Sequence, residues 1–590
     1  MTAPTTTGTG TAVGPRNVFD LRTEPWVPVR RLDGGAEELS LLDVVRRAHE
    51  LREVVGELPT TAFALVRLLL ALLHSSVEVL REGTDEREGP RAAWKALWES
   101  PTLPADAVAD YLDEHAARFD LLHAVTPFFQ VAGLTTAKGE VSGLERLVAD
   151  VPNGLPFFTT RAGEQLRRVS YAEGARWLVH AQAFDPSGIK SGAVGDPRVK
   201  GGKGYPIGTA WAGQLGGLLV EGATLRETLL LNLVLAEMAD QPFPGHDLPV
   251  WERPPLSSTI EKGHPAPVGP ADLFTWPSRR VRLAHDGAGV TGVVLSNGDP
   301  LEPQNRLLEP MTAWRRSEFQ EKKRGEHRVY MPRTHVPERS LWRGLAALLP
   351  QGEREVQRRD GSRVLPPRTL EWLRELQGEG VLARDHVVRT RAVGIEYGAQ
   401  SSTVSEIVDD ALSVRLVLVA ESGRDLREAA LTAVAGTEQA VRALAACAAD
   451  LAEAGGGDRE SAESRALEDG YFILDAPFRS WLAGLHGGLD PTAALHHWSW
   501  IARGRLRALG DELVEAAGPA AWTGRANRQG RHLSTPEADL RLRSALRRAL
   551  PLPSDPEPTT PRHARGDEAA GGSTQDRTTD SSTDDREDGA

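Results

Sequence analysis

Seven glycines fall between Ser187 and Gly208, together with four basic residues, Lys190, Arg198, Lys200 and Lys203. Glycine lets a backbone approach a ligand closely, and amide N–H groups beside lysine can meet phosphate. A nucleotide loop is therefore the first chemistry to test. The Walker pattern needs glycine five positions before its Gly-Lys pair, but for Gly202-Lys203 that position is Pro197 and the next residue is Gly204 rather than Ser or Thr. A dinucleotide fingerprint begun on Gly202 and Gly204 ends on Ile207. What remains is a basic glycine loop, open to two readings: nucleic-acid backbone contact or a plain surface loop. A nucleotide-dependent enzyme with its site in this loop is the competing function.

A second basic concentration, Ala313 to Arg343, holds nine basic residues against four acids, with Trp314, Tyr330 and Trp342 interleaved. Such aromatics either stack on bases or belong to the core. His496 and His497 are adjacent, so on a helix they diverge by about 100° and cannot share a metal. Cys447, the single cysteine, sits in an Ala-rich helical stretch and reads as a buried, inert thiol. It excludes an intramolecular disulfide and any zinc site of paired thiolates, which fits a reducing compartment. Gly-x-Ser-x-Gly and His-Glu-x-x-His are missing from the sequence. No catalytic residue, metal or cofactor is expected.

The elements that must position these residues divide the chain in two. Extended pieces at Phe19–Val29, Arg280–Leu283, Gly289–Leu295 and Val387–Ile395 are separated by helical stretches at Leu41–Val55, Ala62–Arg81, Val169–Ala183 and Leu225–Met238. Their irregular alternation predicts a large mixed α+β domain over residues 17–402. Beyond it, Val434, Val441, Leu444, Ala448 and Leu451 keep to one helical face until Gly455-Gly456-Gly457. A second stretch carries Leu467, Tyr471, Leu474, Phe478, Trp481 and Leu485, and Pro477 should kink or divide it. Asp490-Pro491 and Thr535-Pro536 open two more helices. Residues 403–552 thus read as an antiparallel four-helix bundle.

Residues 553–590 contain none of Val, Ile, Leu, Met, Phe, Tyr or Trp and carry ten acids against four arginines, so a disordered acidic tail is expected. It holds −6 of the formal charge of −13, leaving −7 on the other residues. The balance argues against a basic coat but not against local basic patches. The Thr/Gly/Pro run over 1–16 should be disordered and lacks the pattern of a signal peptide. Arg67 interrupts the longest apolar stretch, Phe63 to His74, which is shorter than the roughly 20 residues a bilayer needs. A cytoplasmic protein without a membrane anchor is expected.

The order of four segments carries a resemblance: Phe19-Asp20-Leu21 with Glu24-Pro25-Trp26-Val27-Pro28-Val29-Arg30; Thr126-Pro127-Phe128-Phe129-Gln130; Ile189-Lys190-Ser191-Gly192; and Glu227-Thr228-Leu229-Leu230-Leu231-Asn232. Over residues 17 to 552 the chain resembles the CasA family, the large subunit of the type I-E CRISPR surveillance complex Cascade. The resemblance implies a non-catalytic subunit that recognises the protospacer-adjacent motif (PAM) in double-stranded DNA and assists strand opening and R-loop formation. It also implies partnership with the other Cascade subunits around CRISPR RNA, and recruitment of a helicase-nuclease effector. The family's PAM-side glycine loop falls on Asp185-Pro186-Ser187-Gly188, where Pro186 and Ser187 replace glycines and leave Ser187 and Gly188 for close approach. Its glutamine wedge falls on Ala399-Gln400-Ser401. Asn297 stands where the family has a minor-groove lysine, a departure from the pattern. The family's mobile loop falls on about Phe158 to Gly174, which makes Arg161, Arg167 and Arg168 candidates for phosphate or RNA contacts, beside Lys190, Lys200 and Lys203 of the glycine loop. A scaffold that binds only proteins is a third reading.

Overall fold

The computed structural model describes residues 18–77, 88–150, 161, 167–235, 247–349, 356–357, 363–527 and 530–555. Of the segments expected to be disordered, 1–16 and 556–590 lie outside these residues, while 553–555 are described, with Asp555 bound to Arg503. The mixed α+β class holds.

The chain opens with a three-stranded antiparallel sheet, β1 (Val27–Arg31), β2 (Ala36–Leu39) and β3 (Leu51–Val54), with β1 in the centre. Between β2 and β3 lies α1 (Leu41–Arg47), capped by Ser40, whose hydroxyl accepts from the Asp43 amide. The helix expected to Val55 therefore ends at Arg47, because Leu51 to Val54 pair with β1 instead. Likewise only Val27–Arg31 of the early extended piece is a strand; Asp20 makes a lone bridge to Asp120.

Helix α2 (Pro59–Ser76) is long and apolar enough to cross a membrane, yet almost all of its residues are buried inside the protein. It is the central core helix. Arg67, the charge in its middle, forms a buried pair with both Glu309 oxygens at 2.8 Å. Helix α3 (Tyr171–Phe184) packs against it, capped by Ser170. Strands β4 (Lys190–Ser191) and β5 (Lys203–Gly204) form a small hairpin. Strand β6 (Gly217–Glu221) leads to α4 (Leu225–Asn232), shorter than expected; Asn232 turns its amide back onto the β6 residue Val220. Strands β7 (Arg279–His285) and β8 (Val290–Asn297) pair antiparallel, each longer than its sequence signal. Strands β9 (Trp314–Arg316) and β10 (Tyr330–Pro332) flank α5 (Glu318–Arg324).

The longest pairing joins β11 (Val387–Tyr397) to β12 (Val404–Arg415). The expected domain boundary after residue 402 falls in the turn of this hairpin, and β12 continues the sheet to Arg415. Four long helices follow, α6 (Arg424–Gly455), α7 (Arg459–Ala483), α8 (Pro491–Glu515) and α9 (Thr535–Ala549), with a short helical turn at Pro519–Thr523 between the last two. The three others all pack on α6. Helix α7 runs undivided through Pro477. Burial of Leu474, Phe478 and Trp481 around the proline outweighs the roughly 3 kcal/mol such a residue costs. Trp342 donates to Asp475 at 2.8 Å, and Arg479 pairs with Asp410 of β12 at 2.9 Å. The Arg479–Asp410 pair fastens α7 to the long hairpin, and the Trp342 bond ties α7 to the turn at Leu341–Ala347.

Candidate nucleic-acid interface

Strand β6 pairs with β11 only over Arg389 to Val393, so the hairpin runs on past the sheet to its tip. There Gly398 donates to Thr403 at 3.0 Å and Ser401 donates to Gly398 at 2.9 Å, closing a tight turn. Gln400 and Ser401 have φ of 55° and 54°, two successive left-handed residues that are not glycine. Such backbone costs of order 1 kcal/mol per residue and persists where surrounding bonds fix it. Ala399 and Gln400 are exposed at the end of the turn, and Ser401 is half-buried.

The tip is held against the loop after α3. The Ser187 amide donates to the Ser401 carbonyl at 2.8 Å, and the Tyr397 hydroxyl donates to the Phe184 carbonyl at 2.6 Å. Residue 213 must be glycine for the second bond, since a Cβ there would collide with the Tyr397 ring and hydroxyl. Burial pushes the Tyr397 phenol well above its ordinary pKa, so it remains a donor. Gly188, with φ of 127°, takes a backbone that L-residues avoid and lies against Ser402. Thus Ser187, Gly188 and the Ala399–Ser401 turn, far apart in sequence, form one edge. A cavity of about 250 Å³ opens behind it, lined by Arg146, His180, Ser187, Gly188, Ser402 and Thr403 among others.

A buried ion cluster supports the loop. The Asp185 carboxylate lies 2.6 Å from the Lys190 ammonium and also accepts from Arg279. Arg279, fully buried, donates further to the carbonyls of Asp185, Pro186 and Gly208 at 3.0, 3.2 and 2.9 Å. Burial alone would raise the Asp185 pKa, but the Lys190 and Arg279 cations overcome it and hold the carboxyl below its usual range. Lys190 is turned inward, its ammonium also donating to the Pro186 carbonyl at 3.0 Å. In this arrangement it stiffens the loop rather than facing a phosphate.

Lys200 and Lys203 are placed differently. They bracket Gly201 and Gly202, whose φ values of 57° and 74° are those of a type I′ turn, and each lysine amide donates to the other's carbonyl at 3.1 Å. The glycine loop is thus a hairpin, followed only by a single 3-10 turn at Trp211–Gln214 rather than the α-helix that cradles a phosphate in a nucleotide-binding loop. Both lysine side chains are exposed, with no ion-pair partner among the described residues. Asn297 is buried and donates to the Tyr205 carbonyl at 2.7 Å, tying this hairpin to β8.

The arginines of the expected mobile loop are less alike than their sequence suggests; residues 158–160 and 162–166 of that loop lie outside the described set. Arg161 is largely buried, bound to Asp150 and Glu173 at 2.9 and 2.6 Å and lying near the Trp177 ring. Arg168 pairs with Asp286 at 2.9 Å, and Arg167 is exposed. Trp314, Tyr330 and Trp342 are buried, so the aromatics of the second basic segment belong to the core and are not stacking platforms. Cys447 is buried on α6, its thiol pKa pushed up to about 12 by burial. Sequence reasoning missed Arg279, Tyr397 and Gly213. Only the Arg279-Arg280 pair at the start of an apolar strand hinted at a buried charge.

The family model for the CRISPR-associated protein Cse1 matches residues 20–509. The structure is similar to that of Thermobifida fusca Cse1, with 47% identity and a TM-score of 0.82 over 90% of this chain and 98% of that one. A relative from Thermus thermophilus, CRISPR-associated protein CasA/Cse1, is 32% identical over 381 residues, which span 62% of this chain and 65% of the relative. A chain solved in a CRISPR RNA-guided surveillance complex shares the fold at 22% identity, with a TM-score of 0.66 over 90% of this chain and 99% of that one. The motif order found in the sequence, the fold and the family match agree: the chain belongs to the CRISPR-associated Cse1 family, also called CasA, the family of the large Cascade subunit.

Proposed function

We propose that this chain is the non-catalytic, duplex-reading subunit of a cytoplasmic type I-E surveillance complex. It assembles with the other Cascade subunits and their CRISPR RNA, recognises the PAM in double-stranded DNA, starts strand separation and R-loop formation, and recruits the helicase-nuclease effector. The carrying observation is the single edge made by Ser187, Gly188 and the Ala399–Gln400–Ser401 turn. Gly188 gives backbone access to a groove floor, while Gln400 is the side chain inserted below the PAM.

Unstacking a base step costs a few kcal/mol, which phosphate contacts and guide pairing must offset. Lys200 and Lys203 supply sequence-independent attraction to the phosphates. With Asn297 committed to Tyr205, minor-groove readout at that position is left to backbone and shape. The test compares duplex and single-stranded target binding by complexes assembled with the native chain and with Gln400→Ala.

A further inference from the structure

The hairpin of β4 and β5 has a face that the fold does not use. Lys190 pairs with Gly204 and Ser191 with Lys203, and the same register carried one residue further sets Ile189 opposite Tyr205. Successive residues of a strand face opposite sides. Lys190 turns inward to Asp185, and Gly204 is buried beside the Asn297 amide. Ile189, Ser191, Lys203 and Tyr205 therefore share the outer face, and all four are exposed, Ile189 by 53% and Tyr205 by 54%. The Tyr205 side chain makes no hydrogen bond or ring contact with another described residue.

This face is held firmly and stands beside the tip. Asn297 donates to the Tyr205 carbonyl and the Ser296 hydroxyl to the Ser191 carbonyl, each at 2.7 Å, fixing both strands to β8. Ile189 lies two residues past Ser187, whose amide holds the Gln400 turn, so the Cα atoms of Ile189 and Ser187 are at most about 7.6 Å apart.

We infer that Tyr205, flanked by Ile189, is a stacking platform for the first unpaired base beside the Gln400 turn, and that Lys203 holds the phosphate of the same strand. The inference rests on the reading of that turn as the point where the strands part. A base meets the aromatic face while its phosphate meets the ammonium two residues along the strand, about 6.6 Å away. Charge favours nucleic acid over protein as the occupant. Asp196, the one acid between Ser187 and Gly208, is bound by Arg198 at 2.8 Å, which leaves Lys200 and Lys203 uncompensated among the described residues. Every base has a face to stack, so the capture is independent of sequence. It opposes re-pairing once the glutamine has entered, a step distinct from the insertion itself.

The test uses the assembled complex and target duplexes carrying one 5-iododeoxyuridine at each of the first three positions past the PAM, on either strand in turn. Irradiation should join one of these positions to the peptide containing Tyr205. The yield should fall several-fold in Tyr205→Leu and persist in Tyr205→Phe. Tyr205→Leu should also bind a duplex already opened by mismatches at least fivefold more weakly than the native chain, with the salt slope unchanged. Crosslinks that avoid Tyr205 on duplexes the complex does bind, or equal affinity of Tyr205→Leu and native for the opened duplex, would overturn the platform alone. A native complex that binds no duplex would overturn the proposed function and the platform with it.

Discussion

The amide of Ser187 donates to the carbonyl of Ser401 across 2.8 Å, and this one bond joins the loop after α3 to the tip of the longest hairpin. Because both partners are backbone groups, the contact is independent of the serine side chains. Ser187→Ala should leave duplex binding unchanged. Ser187→Pro removes the donor and should weaken duplex binding about fivefold, as expected for about 1 kcal/mol of missing hydrogen bonding. Titration of a labelled PAM duplex against complexes carrying each variant checks this.

The Asp185–Arg279 contact makes a stability prediction. Arg279→Ala strips four carbonyls and a carboxylate of a buried donor, and should destabilise the chain by about 3 to 5 kcal/mol in denaturant unfolding.

The three lysines of the glycine loop should separate in salt titrations. Replacing Lys200 and Lys203 by alanine should reduce the slope of log K against log[salt] by about 0.9 for each phosphate left without its lysine, equally for all sequences. Lys190→Met should leave that slope unchanged and instead lower thermal stability, because its ammonium faces Asp185.

Gln400 holds a left-handed backbone that glycine adopts freely. Gln400→Gly should therefore keep the stability within about 1 kcal/mol of native, or raise it by that much, while strand opening is abolished. Calorimetry and base-unpairing fluorescence on the same preparation would separate the two effects.

Two buried histidines set an acid limit. Burial lowers both His74 and His180 from 6.5 to about 4, and His180 shares a hydrogen bond with Thr60 at 3.0 Å. Below pH 6.5 the unfolded chain takes up protons that the native chain refuses, so stability is full above that pH and declines as pH falls toward 4. The loss should reach at most about 3 kcal/mol for each histidine. His180→Asn should flatten the decline in denaturant midpoints measured from pH 7 to 4.5.

Helix starts were legible because they rest on local chemistry: Asp490-Pro491 opens its helix as read, with Asp490 as the cap, while at Thr535-Pro536 the helix begins one residue early, at Thr535 itself; the apolar face of α6 is the one buried. Leu41 to Val55 misled because tertiary pairing with β1 overrides a helical pattern once Arg47 is passed. At the candidate site, motif resemblance pointed to Ser187, Gly188 and Gln400, but spacing could not show that they meet. That meeting depends on Tyr397 reaching Phe184 over a glycine at 213, a relation between three distant segments. Lys190 and Arg161 looked like ligand contacts because a sequence shows charge but not the carboxylate that neutralises it.

The most direct measurement is strand opening by the assembled complex, followed with a fluorescent base analogue placed beside the PAM, for the native chain and Gln400→Ala. The variant should open duplex at least tenfold more slowly than the native chain while binding single-stranded target as tightly. Equal opening rates on duplex for both chains would contradict it.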